Sequence, residues 1–238
     1  ATLGVNAPQT NNSDLQTRGW ELQLSWRDRL NNGLGYGIAV NLSDQGTFIA
    51  SYPSNAATGS IDTFMKGKKY GLIWGFETIG IAKTQQEMDA HLASLPNGGQ
   101  STLGAANQWK AGDIMYRDVN NDGKISEGNR TWDDHGDLVI LGDANPHYFF
   151  GVDLTADWKG FDVRAFFQGV LKHNFWPGGD STTNDEKAGG YFWGVRGNKS
   201  EWHIRGFEQH MDYFRDTPTG LAGHELPVNI DSYFPRVI

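Results

Sequence analysis

The sequence predicts a mainly β fold of antiparallel strands, with long loops and one short helix. Two alternating hairpins, a composition rich in Gly and aromatics, and the absence of any apolar run long enough for a spanning helix lead to that class. Gly supplies 31 of 238 residues, against about 7% in an average protein. Nine Trp, eight Tyr and 13 Phe accompany it, a combination that favours strands and turns over helices.

The clearest alternation is GWELQLSWRD, in which Trp20, Leu22, Leu24 and Trp26 fall on one face and Glu21, Gln23, Ser25 and Arg27 on the other. After a turn over Asp28 to Gly33, Leu34, Tyr36, Ile38, Val40 and Leu42 continue the apolar face against Gly35, Gly37, Ala39, Asn41 and Ser43. The two runs form an antiparallel hairpin over about 19–43. A second hairpin spans about 147–169. Tyr148, Phe150, Val152, Leu154, Ala156 and Trp158 alternate with Gly151, Asp153, Thr155 and Asp157, Lys159-Gly160 makes a tight turn, and Phe161, Val163, Ala165 and Phe167 return opposite Asp162, Arg164 and Gln168. Phe166 breaks this pattern.

The stretch between the hairpins, about 44–146, is too long for an ordinary connection and should carry structure of its own. Thr84-Gln85-Gln86-Glu87 reads as a capping box, and Met88, Leu92 and Leu95 follow at helical spacing before Pro96-Asn97-Gly98-Gly99 stops the element. From about 170 to 238 the chain is rich in Gly, Asn, Asp and Trp with little periodicity, which reads as long loops.

Composition excludes several functions. The net charge is −8 with Lys and Arg scattered, so a nucleic-acid partner lacks its basic stripe. No Cys is present, which removes thiol nucleophiles and Cys-ligated zinc. The seven His form no His-x-x-x-His or His-Glu pair and read as surface or packing residues. Glu127, Asp133, Asp134 and Asp137 offer carboxylates, but nothing in their spacing demands a glycosidase acid/base pair, so no catalytic residue is assigned and the chain is not expected to be an enzyme.

One motif points to a cation. Asp118, Asn120 and Asp122 supply oxygens at alternate positions, Gly123 allows the sharp turn, and Lys124 offers its carbonyl, the spacing with which a tight loop surrounds calcium. The twelfth position holds Asn129 instead of a bidentate Glu, so the affinity should be modest. The alternative is an Asx-rich turn that caps its own backbone. Trp176, Trp193 and Trp202, with Tyr191 and Phe192, are candidate platforms for sugar rings, against a packing role among loops.

Four ordered segments, RGWELQLSWRD (18–28), YGLIWGFETIGIAKTQQEMD (70–89), KAGDIMYRDVNNDGKIS (110–126) and LGDANPHYFFGVDLTADWKGFDVRAFFQG (141–169), together resemble the SusC/RagA family of TonB-linked outer-membrane proteins. PVNIDSYFPRVI at the end resembles that family's Asn-x-x-x-Tyr-x-Pro-Arg stretch. The resemblance implies a large outer-membrane β-barrel of about 22 strands with a plug. It also implies energy from TonB, a SusD-like surface lipoprotein as partner, contact with outer-membrane lipid, and import of oligosaccharides or peptides. The chain would be an internal-to-C-terminal piece of such a barrel, incomplete by itself. Short turns belong on the periplasmic side of these barrels, so 44–146 and 170–238 should be extracellular loop regions, with Trp26 and Trp158 in the periplasmic aromatic girdle. A competing class is a secreted, calcium-stabilised, glycan-binding β-sandwich, in which the same apolar faces pack on each other. What covers those faces discriminates the two.

Overall fold

The computed structural model describes residues 12–55, 57–100, 103, 108–174 and 211–236. In chain order its elements are β1 (Asp14–Arg29), β2 (Gly35–Ser51), a 3-10 turn (Pro53–Asn55), β3 (Leu72–Phe76), β4 (Thr78–Ile81), α1 (Gln85–Ala93), β5 (Ile114–Tyr116), β6 (Leu138–Asp143), β7 (His147–Trp158) and β8 (Phe161–Lys172). β1, β2, β7 and β8 make one four-stranded sheet in that spatial order, while β3 pairs with β6 and β4 with β5. The fold is therefore mainly β with one helix, as the sequence predicts. The chain divides into two units, one built around the four-stranded sheet and one containing α1 and the segment 211–236.

Within the sheet unit every neighbouring pair is antiparallel. Lys159 and Gly160 link β7 to β8 with φ of 48° and 85°, the pair of positive values that a two-residue type I′ turn requires. Leu30 to Leu34 link β1 to β2, with Gly33 at φ 88°. Since Gly35 pairs with both Arg29 and Asp157, both turns lie at the same end of the sheet. At the opposite end β1 and β2 run on together past the predicted hairpin. There β2 exchanges β7 for the segment 67–70: Ile49 N–H donates to Lys68 O (2.9 Å), Gly67 N–H to Ile49 O (2.7 Å) and Tyr70 N–H to Thr47 O (2.8 Å).

The register carries the alternation across all four strands. Leu24, Val40, Val152 and Phe167 form one cross-strand row, Trp26, Ile38, Leu154 and Ala165 the next, and Leu22, Leu42 and Phe150 a third. Opposed residues share a face, so these rows make one apolar surface. The other surface carries Gln23, Asn41 and Gln168, then Arg27, Thr155 and Arg164. The apolar surface is uncovered: Leu24 is 61% exposed, Trp26 61% and Phe161 77%. Among the described residues of this unit no second sheet packs on it, whereas a sandwich would bury that face in its core.

The packed apolar core lies in the other unit. Ala82, Met88 and Met115 are buried, with Leu92 and Trp109 against them. Thr84 caps α1 by accepting from Glu87 N–H (3.1 Å), and the Glu87 carboxylate reaches back to Lys83 N–H (2.8 Å), one residue before the position a capping box uses. The short strands β3 to β6 are structure the sequence reading leaves as loop, because none is long enough to display an alternation.

Candidate functional site

Three arrangements of side chains are candidates for function, the first being the polar surface of the sheet. Arg29 on β1 reaches Asp157 on β7 at 2.6 Å, crossing over Gly35 of the strand between them. A Cβ at Gly35 would stand 2.2 Å from Asp157 Oδ1 and 2.7 Å from Arg29 Nη2, so glycine there makes room for the clasp. Arg164 holds Asp153 through Nε at 2.9 and 3.1 Å to its two oxygens. Arg27, Arg29, Thr155, Asp157 and Arg164 line an open concavity on this side. Such a wall of charge pairs suits contact with water or a polar ligand.

The second candidate is the loop Asp118–Lys124. Its carboxylates organise backbone: Asp118 accepts from Asp122 N–H (3.2 Å) and Gly123 N–H (2.8 Å), Asn120 Oδ1 from Asp122 N–H (2.9 Å), and Asp122 Oδ1 from Lys124 N–H (3.1 Å). Lys124 Nζ lies 3.9 Å from Asp122 Oδ2. Asn121 at φ 59° and Gly123 at φ 80° make the tight bend. Asp137, fully buried, enters the loop from 15 residues beyond Asp122 in sequence and accepts from Val119 N–H (2.8 Å), Asn120 N–H (3.4 Å) and Ser126 N–H (2.7 Å). Oxygens of Asp118, Asp122 and Asp137 all lie within 4.8 Å of one another. Three carboxylates this close repel unless a cation joins them, although each also serves as an acceptor for backbone N–H groups. Sequence reasoning placed Asp137 with Glu127, Asp133 and Asp134 as a conceivable acid/base group. The structure instead pairs Glu127 with Arg130 (2.7 Å) and Asp134 with Asn129 (2.6 Å).

The third candidate is one the sequence reading did not assign. At the end of β7 away from the hairpin turns, past the apolar rows, His147 is buried between two carboxylates: Nδ1 is 2.6 Å from Asp44 Oδ1 and Nε2 is 3.0 Å from Asp143 Oδ2. Lys69 Nζ lies 2.5 Å from the same Asp143 oxygen and 3.0 Å from His147 Nε2. Burial alone would raise the Asp143 carboxyl, but hydrogen bonds from His147, Lys69 and Asn145 outweigh it and bring it down to about 2. The hydrogen bonds to Asp143, then to Asp44, raise His147 above its ordinary value, against burial and the Lys69 charge. Local spacing joins only Asp143 and His147; Asp44 and Lys69 come from far along the chain. Trp176, Trp193 and Trp202 lie outside the described residues.

No family model matches this chain. Over 176 residues, 69% of its length, it is 23% identical to TonB-dependent receptor P3 of Formosa agariphila. The similarity supports the TonB-dependent receptor family. The aligned part amounts to 16% of that receptor, so the chain spans a small portion of the relative it matches. TonB-dependent receptors are transporters and not enzymes, and this chain is a distant relative of one.

Proposed function

We propose that the chain is part of the β-barrel of a SusC/RagA-type, TonB-dependent transporter in the outer membrane. In this reading the whole protein imports oligosaccharides or peptides, takes energy through TonB and works with a SusD-like surface lipoprotein. The observation that carries the reading is the single apolar surface running in register across four strands and left uncovered, with charge on the opposite side. Lipid is the solvent that stabilises such a surface, because a barrel wall alternates apolar-out and polar-in. The apolar rows occupy residues 150–158 of β7, close to the 9–11 residues a tilted transmembrane strand needs. Their partners are 22–29, 35–42 and 161–169.

The two short turns are then periplasmic, and the segments that follow β2 and β8 are extracellular. Trp158 joins the girdle beside its turn, while Trp26 lies further along the strand, in the row of Ile38 and Leu154. Asp118, Asn120, Asp122 and the Lys124 carbonyl, with Asp137 as a further oxygen donor, hold calcium in the extracellular part and stiffen it. Trp176, Trp193 and Trp202 are assigned to sugar stacking on the chemistry of the indole face alone.

Fractionation tests the reading against its competitor. The full-length protein should remain in the outer-membrane pellet after a sodium carbonate wash, and deleting its gene should abolish growth on the oligosaccharide or peptide it imports. Recovery of the protein as a soluble species in the medium would overturn the transporter assignment.

A further inference from the structure

We propose that His147 is a proton-operated latch that ties the segment 67–71 and the corner 143–147 to β2 at the point where β7 leaves it. The inference stands on the arrangement within the sheet unit and does not depend on the transport reading.

Three chain segments meet at the ring. Asp44 comes from β2, Lys69 from the segment that replaces β7 beside β2, and Asp143 from the end of β6; on β7 Tyr148 has its ring centroid 6.0 Å away, and on β8 the exposed Lys172 is the cross-strand partner of His147. Around them the backbone is sewn together: Tyr70 N–H donates to Thr47 O (2.8 Å), Ala144 N–H to Gly71 O (2.8 Å) and Asn145 Nδ2 to Tyr70 O (2.7 Å). Asn145 N–H also donates to Asp143 Oδ1 (2.8 Å), which fixes that carboxylate in the corner.

The ring has one proton too few to do this work when neutral. An imidazolium donates through both nitrogens to Asp44 and Asp143, against the like charge of Lys69 3.0 Å from Nε2; a neutral imidazole has a single N–H, so one carboxylate loses the ring and Asp143 keeps only Lys69 and Asn145. The charges say the same. Within the hydrogen-bonded cluster Asp44 and Asp143 carry two negative charges against one from Lys69, and protonated His147 balances them; Lys172 on β8 is exposed to solvent, which screens its charge.

When the ring loses its proton, the tautomer that keeps Nδ1–H on Asp44 turns Nε2 into an acceptor. Lys69 Nζ, 3.0 Å away, is placed to donate to it. Lys69 is then shared between the ring and Asp143, and the cluster holds one uncompensated negative charge. The corner is loosened rather than lost, so opening is expected at the junction of 67–71 with β2 and not across the sheet.

The direction follows from linkage. The folded site raises His147, so its contribution is complete below the ordinary value of 6.5 and disappears as pH rises through the higher folded value. Asp143 acts in the opposite sense: its carboxyl is held at about 2 instead of 3.8, so its contribution is present above 3.8 and is lost as pH falls towards 2. The latch is therefore tightest between those limits, in mildly acidic solution.

Hydrogen exchange measured by mass spectrometry on the intact protein in detergent, corrected for the intrinsic rate at each pH, reads the latch through the peptides covering 46–50 and 66–72. Protection there should fall between pH 6 and pH 9, by up to about tenfold for each unit by which the site raises the His pKa. His147→Gln should show low protection with no such fall. Asp44→Asn, which leaves the ring and Asp143 in place, should move the fall to lower pH, and it guards against a folding defect in the first variant. Protection independent of pH in the unaltered protein, a fall that persists in His147→Gln, or an unmoved midpoint in Asp44→Asn would each overturn the latch.

Discussion

Leu154→Arg should destabilise the membrane-embedded protein by about 2–4 kcal/mol, the cost of placing Arg at the lipid-facing midplane of an outer-membrane barrel. Leu154 lies at the centre of the 150–158 rows, opposite Ile38 on one side and Ala165 on the other, and beyond Ile38 comes Trp26. A guanidinium there would have to leave water or drag it into hydrocarbon, and no acidic residue shares its row. Gln168→Arg is the matched control, because Gln168 pairs with Gly151 on the polar surface and stays in water. It should shift stability by no more than about 0.5 kcal/mol. Denaturant unfolding of the full-length protein from lipid vesicles measures both. Equal small effects would mean that water bathes the two surfaces alike, and a transporter wall could not be built that way.

Asp137→Ala should cost about 3 kcal/mol and disorganise the loop Asp118–Lys124. The side chain is fully buried, and its loss strips the acceptor from the N–H groups of Val119, Asn120 and Ser126. Each unsatisfied buried donor costs about 1–3 kcal/mol, reduced where water enters the gap. Asp137→Asn keeps an acceptor oxygen and should cost less. The same loop tests calcium. If the cation binds with an extracellular-type dissociation constant near 10⁻⁴ M, 10 mM calcium stabilises by about 2.7 kcal/mol. Asp122→Ala should remove that response and leave the fold, whereas Asp137→Ala should remove both. A thermal midpoint that ignores calcium in the unaltered protein would leave the loop as a self-capped turn.

The parts that were legible in the sequence are those whose signal is local and periodic. Trp20, Leu22, Leu24 and Trp26 declare a face because a strand has period two, and the hairpin turn at Lys159-Gly160 follows from one residue that tolerates positive φ beside one that prefers it. Thr84 and Glu87 announce α1 because a helix start has to satisfy its own N–H groups. The cation loop was half visible. Its spacing from Asp118 to Lys124 is local, but the buried Asp137 that braces it arrives from beyond Ser126, and nothing in the intervening residues marks it. β3 to β6 were hidden by their brevity. The Asp44–Lys69–Asp143–His147 cluster was hidden by distance along the chain, since its members meet only after β2 and β7 have paired. One clue lay in Asp143-Ala-Asn145-Pro: an Asp two residues before an Asn suggests an Asx turn, and the structure has Asp143 accepting from Asn145 N–H.

In the proposed barrel wall one surface of this sheet faces lipid and the other faces water. The described strands contain no Cys, so, with any cysteine elsewhere in the full-length protein replaced, single cysteines at each position from 150 to 158 can carry a spin label in the membrane-embedded protein, and collision with oxygen or with a water-soluble nickel complex reports lipid or water at each site. Labels at 150, 152, 154, 156 and 158 should favour oxygen, and those at 151, 153, 155 and 157 should favour nickel, alternating along the whole strand. Uniform access to nickel at all nine positions, or the opposite parity, would contradict the assignment of this sheet to a membrane barrel wall.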